Sequence, residues 1–428
     1  MKVFSKSGGS TPHEPPQQAD SVHSNETPSN SSQGKKEVKT RRPPNSAFRQ
    51  QRLKAWMPIL TIRTVVPLYF AAGLVLSPIG GWFLYNSAKV KEIALDYSNC
   101  ANEADETYAD MPSKLVEHHF RSKEKVQSPQ WKVEHNTTVQ YMDSLVTVPD
   151  TTKCYLQFTI PEDMHPPVLL YYRLENFYQN HRFYLASFSA NQLAGKAITA
   201  TQATNSDCSR LAVNEHGKVI YPCGLIANSM FNDTILSPRV QFPAAGNLSH
   251  VSIVYPMSRR NIAWEHDKKL YSRTNYQPGE AVPPPHWARR WNYTVRMPDL
   301  TNDESFHVWM RTAGLPKFSK LAMRNDQETL KKGVYELEIW DEFNTTLYGG
   351  KKSILISTRT ATGGRNPFMG IAYVIVGVIC ILLGGTFTIL NALKTRKLGD
   401  DSQLSWNKAR SKKVLNPPPA DSRVLDSF

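Results

Sequence analysis

The sequence predicts a two-pass membrane protein in which two transmembrane helices flank one large β-rich domain, an antiparallel sandwich with short helices. Three observations carry this expectation. Two long runs hold no charged side chain, the segment between them alternates apolar and polar residues at the strand period, and four of the five cysteines fall in that segment. A chain with 40% hydrophobic and 21% charged residues, and 29 Pro against 22 Gly, suits a folded protein with extended tails. It excludes a collagen-like, coiled-coil or wholly disordered chain.

Residues 1–44 are rich in Ser, Pro, Gln and Gly and read as a disordered tail. Residues 45–63 form a basic juxtamembrane stretch. Between Arg63 and Lys89 stand 25 uncharged residues, and a hydrocarbon core of about 30 Å needs roughly 20 in helix, so the first span is set at 64–86. Pro67 and Pro78 lie inside it, as membrane helices tolerate when neighbours re-satisfy the backbone. Trp82 and Tyr85 stand near one end, where an interfacial aromatic belt belongs. A signal peptide does not fit, because the polar residues 1–61 come first. The second span, 366–393, rests on 28 uncharged residues between Arg365 and Lys394.

Residues 87–365 lie between the spans. CYLQFTI (154–160), VLLYYRL (168–174), VSIVYPM (251–257), HVWMRT (307–312), GVYELEIW (333–340) and SILIST (353–358) read as strands by β-branching and period two. In GVYELEIW, Val334, Leu337 and Ile339 alternate with charged partners. SKLVEHHF (113–120) reads as a short helix. Cys100, Cys154, Cys208 and Cys223 belong to this domain, and an even number in an oxidising compartment implies two disulfides with three possible connectivities. Cys380, inside the second span, reads as a free apolar thiol. Residues 394–428 are a basic tail.

Charge sets the orientation. Arg41, Arg42, Arg49, Arg52, Lys54 and Arg63 precede the first span, and seven Lys or Arg from Lys394 to Lys413 follow the second. The inner flanks hold Lys89 and Lys91 on one side and Lys351, Lys352, Arg359 and Arg365 on the other. The positive-inside rule puts both termini in the cytoplasm and the domain in the lumen or outside. Much of the net charge of +14 then faces an anionic leaflet. Nucleic acid is a poor partner, since no aromatic–basic module accompanies the charge. On this topology the sequons at Asn136, Asn232, Asn247, Asn292 and Asn344 are glycan acceptors, and those at Asn25 and Asn30 are silent.

No motif argues for catalysis, a cofactor or a metal site. There is no Walker loop, HExxH, GxSxG, CxxC or Asp-Lys-Thr-Gly. His118 and His119 are adjacent and point apart. Trp264-Glu265-His266-Asp267 reads as a surface turn rather than an acid–base cluster. A membrane-anchored lumenal hydrolase lacks its clustered acid and base, and a free-standing cargo receptor remains the other alternative class.

Several long motifs stand in fixed order. Asn45–Thr61 carries Asn45-Ser-Ala-Phe48-Arg-Gln50-Gln51-Arg52 and Trp56-Met-Pro58, and Ser77-Pro78-Ile79-Gly80 and Asp96-Tyr97 follow. Tyr171–Arg182, Tyr221–Thr234, Trp309–Ala313, Leu315–Phe318 and Gly363–Asn366 complete the series. The stretch from Asn45 to Leu393 resembles the cell-division-control-fifty / ligand-effect-modulator family, the non-catalytic β-subunits of type-IV P-type ATPases that move phospholipids, with a fungal-like cysteine count. The resemblance implies a lumenal jelly-roll-like sandwich and a heterodimer with the ATPase catalytic subunit. It also implies residence in the secretory pathway (endoplasmic reticulum, Golgi, endosome or plasma membrane). In this family the β-subunit stabilises the ATPase, accompanies it out of the endoplasmic reticulum and supports transport to the cytosolic leaflet. The resemblance supports the pairs Cys100–Cys154 and Cys208–Cys223. Phe48, Gln50, Gln51, Arg52, Trp56 and Pro58 stand in a fixed order that a basic anchor does not need and read as a partner contact docked as an extended strand, the alternative being an interfacial segment lying on anionic lipid.

Overall fold

The computed structural model describes residues 46–53, 61–122, 127–141, 143–241 and 252–394. They fall into two units, the first containing 46–53 and the second 61–394. In the first, the Gln50 N–H donates to the Ser46 carbonyl (2.9 Å) and the Arg52 N–H to the Ala47 carbonyl (2.7 Å). These bonds, with Gln51 at φ 54°, make a turn where an extended strand was expected. The Ser46 hydroxyl helps close it by accepting from the Arg49 N–H at 3.3 Å. Phe48, Gln50, Gln51 and Arg52 are all exposed, while Trp56 and Pro58 lie outside the described residues.

The second unit begins with a helix over Ile62–Lys89 and ends with one over Pro367–Leu393. Both are long and apolar enough to cross a membrane, and most of their surface is exposed, unlike a core helix. Between them, strands β1 (Glu92–Asp96), β3 (Val116–His119), β6 (Val168–Glu175), β10 (Phe318–Asn325) and β12 (Lys351–Thr358) form one sheet, in the order β10-β6-β12-β1-β3. The second sheet runs β2-β4-β5-β11-β8-β9 with β7 also on β11. Its strands are β2 (Ala109–Asp110), β4 (Gln130–Tyr141), β5 (Val146–Ile160), β7 (Thr234–Ile235), β8 (Arg239–Gln241), β9 (Ser252–Val254) and β11 (Gly333–Asp341). Every pairing between these strands is antiparallel. Ile93, Leu170 and Ile354 from the first sheet meet Leu156, Phe158 and Leu337 from the second in one core, which makes the domain a sandwich. A second core around Tyr221, Tyr276, Trp287, Tyr293 and Phe306 fills an irregular lobe inserted between β6 and β10.

Four sequence expectations change. HVWMRT is not a strand: residues Glu304–Met310 form a helix, because Asp303 caps it by accepting from the Phe306 N–H (3.1 Å) and Phe306 and Trp309 share one buried face. SKLVEHHF is not a helix. After one 3-10 turn, Val116–His119 pairs with β1, whose edge offers a ladder that a lone helical turn cannot match. VSIVYPM keeps its strand only over Ser252–Val254, before Pro256. In β11 the inward residues are Tyr335, Leu337 and Ile339, so Val334 lies on the other face with Glu336 and Glu338.

Candidate functional site

The membrane helices pack on one another through glycine. Gly73 and Gly80 lie seven residues apart on the first helix and Gly370, Gly377 and Gly384 at the same interval on the second, and all five are buried. A seven-residue spacing keeps them on one face, and a missing Cβ lets backbones touch. A Cβ on Gly80 would lie 2.8 Å from Val374 Cγ2 and 2.9 Å from the Gly370 carbonyl oxygen. One on Gly73 would lie 2.8 Å from the Gly377 carbonyl oxygen. Leu84 seats against Gly370 and Phe70 against Gly384, so the helices run antiparallel, and the ring pairs Phe83–Tyr373 and Tyr69–Phe387 (both 5.8 Å between centroids) flank the seam. Ser77 brings a buried hydroxyl with no hydrogen-bond partner against Gly377. The outer faces expose Leu68, Leu74, Trp82, Ile375 and Leu382, and a Cβ on Gly81 or Gly385 would meet nothing within 4 Å.

The sandwich is mounted directly on this pair. Only Val90 and Lys91 separate the first helix from β1. The Lys91 N–H donates to Thr358 Oγ1 (3.0 Å) and the Thr358 N–H to the Lys91 carbonyl (2.9 Å), clamping the chain ends together. The Ser87 hydroxyl accepts from the Asn366 N–H at 3.0 Å, and Arg365 pairs with Glu92 at 3.1 Å.

Inside the sandwich lies a buried ion cluster. The Lys352 ammonium donates to Asp233 (2.8 Å), to Asp341, and to the Phe343 carbonyl (2.7 Å). The Tyr97 hydroxyl donates to the same Asp233 oxygen (2.8 Å), and the other oxygen accepts from the N–H groups of Glu342 (2.7 Å) and Phe343 (2.6 Å). Burial alone would lower the Lys352 pKa, but Asp233 and Asp341 carry it above the ordinary lysine value. Burial raises Asp341, with Asp233 adding to the rise and Lys352 opposing it. The cluster joins β1, β11 and β12 to the segment before β7. Lys352, counted from sequence as a flanking charge, is therefore neutralised in the core. Nearby, Lys320 donates to the carbonyls of Val308 (2.9 Å), Trp309 (2.6 Å) and Arg311 (2.7 Å), closing the C-terminal end of the helix Glu304–Met310. Burial, and then Arg311, pull its pKa down to about 7.

The remaining residues singled out from sequence are spread over the domain. Cys100 is bonded to Cys154 (Cα–Cα 6.2 Å) and Cys208 to Cys223 (5.7 Å), while Cys380 is free. The first bridge ties the short helix Cys100–Glu103 after β1 to β5 of the opposite sheet, and the second lies in the irregular lobe. Asn136, Asn292 and Asn344 are exposed, Asn232 is half-buried, and Asn247 lies outside the described residues, as do Asn25 and Asn30. His118 and His119 lie on consecutive positions of β3, which puts them on opposite faces. Glu265 is held by Lys268 (2.8 Å) and Asp267 by Arg311 (3.2 Å), so the Trp264–Asp267 turn brings no acid and base together. The glycine seam and the Lys352 cluster were not singled out from sequence. The seven-residue repeat of glycine in both spans would have pointed to the seam, whereas no local signal marks the cluster.

Residues 83–397 match the LEM3 (ligand-effect modulator 3) / CDC50 family. The chain is 39% identical to the phospholipid-transporting ATPase accessory subunit CDC50 of Chaetomium thermophilum, over 86% of this chain and 91% of that protein. It is 38% identical to the accessory subunit LEM3 of Saccharomyces cerevisiae (86% and 88%) and 36% identical to cell cycle control protein 50A of Bos taurus (83% and 90%). With its two membrane-length helices and its antiparallel domain, the chain belongs to the LEM3/CDC50 family.

Proposed function

We infer that this chain is the non-catalytic accessory subunit of a phospholipid-transporting ATPase, a membrane protein of the secretory pathway that forms a heterodimer with the catalytic subunit. The fungal relatives are named as such accessory subunits, and the match extends over most of both chains; that observation carries the reading. The helix pair agrees with it. Its seam is filled by glycine backbone and apolar side chains, while its outer faces are apolar and open to lipid or to a partner's helices. The subunit stabilises the ATPase, enables its exit from the endoplasmic reticulum and supports phospholipid movement to the cytosolic leaflet. Affinity purification of the full chain from its own membranes tests this: a P-type ATPase of this class copurifies, and loss of the chain abolishes transport. An ATPase that transports normally without it overturns the reading.

Both termini are assigned to the cytoplasm and residues 87–365 to the lumen, with spans at 64–86 and 366–393. The basic outer flanks support this, and burial of Lys352 makes the inner flank poorer still in free cations. The glycan acceptors are then Asn136, Asn232, Asn247, Asn292 and Asn344, with Asn25 and Asn30 bare. The segment containing Phe48, Gln50, Gln51, Arg52, Trp56 and Pro58 is assigned to the ATPase contact. The exposure of Phe48 at the described turn supports it. Alanine at Phe48, Gln50 and Gln51, with every Lys and Arg kept, lowers ATPase copurification and transport while membrane insertion persists. Unchanged copurification and transport remove the assignment.

A further inference from the structure

A cavity of ≈ 830 Å³ opens between the sandwich core and the irregular lobe. Its size is that of a ligand site rather than a packing defect. Asn232, of the sequon Asn232-Asp233-Thr234, is among its lining residues. Both neighbours of Asn232 are anchored in the core: Phe231 stacks on Tyr172 at 4.1 Å, and Asp233 is locked in the Lys352 cluster. Asn232 itself is half-buried, and its amide makes no hydrogen bond yet is not sealed from solvent. The acceptors Asn292 and Asn344 differ. They are exposed, and each amide oxygen accepts from the hydroxyl of its own sequon threonine, both at 2.6 Å, although Asn344 is also among the residues lining the cavity.

The cavity wall is mixed in a particular way. Trp291 and Tyr348 supply aromatic surface, on which the C–H faces of sugar rings pack. Arg290 and Glu342 line the same cavity and bring a guanidinium and a carboxylate to its wall, the Arg290 guanidinium also pairing with Asp143 at 3.0 Å. A wall that offers both donors and acceptors suits sugar hydroxyl and acetamido groups, which can accept and donate in turn. We propose that this cavity seats the chain's own N-linked glycan: the first sugars attached to Asn232 fold back between sandwich and lobe rather than project into solvent. The proposal rests on the lumenal orientation given above and deepens it by setting one acceptor apart from the rest.

Native against denatured digestion with peptide N-glycosidase tests it. The full chain is taken with its ATPase, and each released site is mapped by Asn-to-Asp conversion in heavy-oxygen water. After denaturation Asn136, Asn232, Asn292 and Asn344 all convert. In the native protein Asn232 converts more slowly than Asn136 and Asn292, which lie outside the cavity, by about tenfold or more, because release requires local opening. Trp291→Ala widens the cavity and brings native release at Asn232 toward that at Asn136. If none of the four converts after denaturation, the lumenal orientation fails and the seating with it. If only Asn232 stays unconverted, or if it converts natively as fast as Asn136, the seating is refuted while the orientation stands.

Discussion

Gly80 and Gly81 are neighbours on one helix, yet their surroundings predict opposite responses to the same added methyl group. A Cβ on Gly80 would lie 2.8 Å from Val374 Cγ2, 2.8 Å from the Val374 backbone nitrogen and 2.9 Å from the Gly370 oxygen, whereas ordinary contact begins at 3.4 Å. Two of the three atoms are backbone, so no rotamer change relieves them and the helices must separate by about half an ångström. Overpacking of this kind costs roughly 1–3 kcal/mol. Gly80→Ala therefore lowers the melting temperature of the detergent-solubilised full chain by a few degrees, on the order of 2–4 °C for a unit of this size. A Cβ on Gly81 meets nothing within 4 Å, so Gly81→Ala keeps the seam and gains up to about 1 kcal/mol of helix propensity. Thermal scanning read by monodispersity on a sizing column, with both variants beside wild type, gives the comparison. Equal losses at the two positions would refute a seam held by backbone contact at Gly80.

Lys352→Met leaves Asp233 and Asp341 buried without their cation and costs about 3–5 kcal/mol, read as loss of soluble folded protein; a wild-type melting curve would contradict the structural role of the cluster. Adding Asp341→Asn to that variant recovers part of the loss. Lys320 has its folded pKa lowered to about 7, so its contribution is present above the ordinary lysine value and lost as pH falls through about 7. Wild type should therefore gain stability relative to Lys320→Met as pH rises from 7, and parallel pH curves for the two would count against it. Replacing both Cys208 and Cys223 by Ser opens a bridge spanning 15 positions and costs about 3 kcal/mol in the chain-entropy model, checked by melting without reductant.

Much of the fold was legible because it is written locally. The membrane-length helices Ile62–Lys89 and Pro367–Leu393 follow from runs without charge, a property of neighbouring residues alone. The four strands β5, β6, β11 and β12 sit where β-branched and aromatic alternation put them. The misreadings fall where local signals are short. HVWMRT has the composition of a strand, but the Asp303 cap and the Phe306–Trp309 face make it a helix, and SKLVEHHF became a strand only because β1 offered an edge. The four cysteines between the two spans likewise told of two bridges, while their connectivity came from family resemblance and not from spacing. Only the tertiary structure brought Tyr97, Asp233, Asp341 and Lys352 together, placed Asn232 beside a cavity between two cores, and set Gly80 against Gly370. Hydropathy and period act over a few residues, so sequence reveals them directly. The buried charge of Lys352 and the backbone contact of Gly80 depend on Asp233 and Gly370, each more than a hundred residues away, and such partners are known only once the chain has folded.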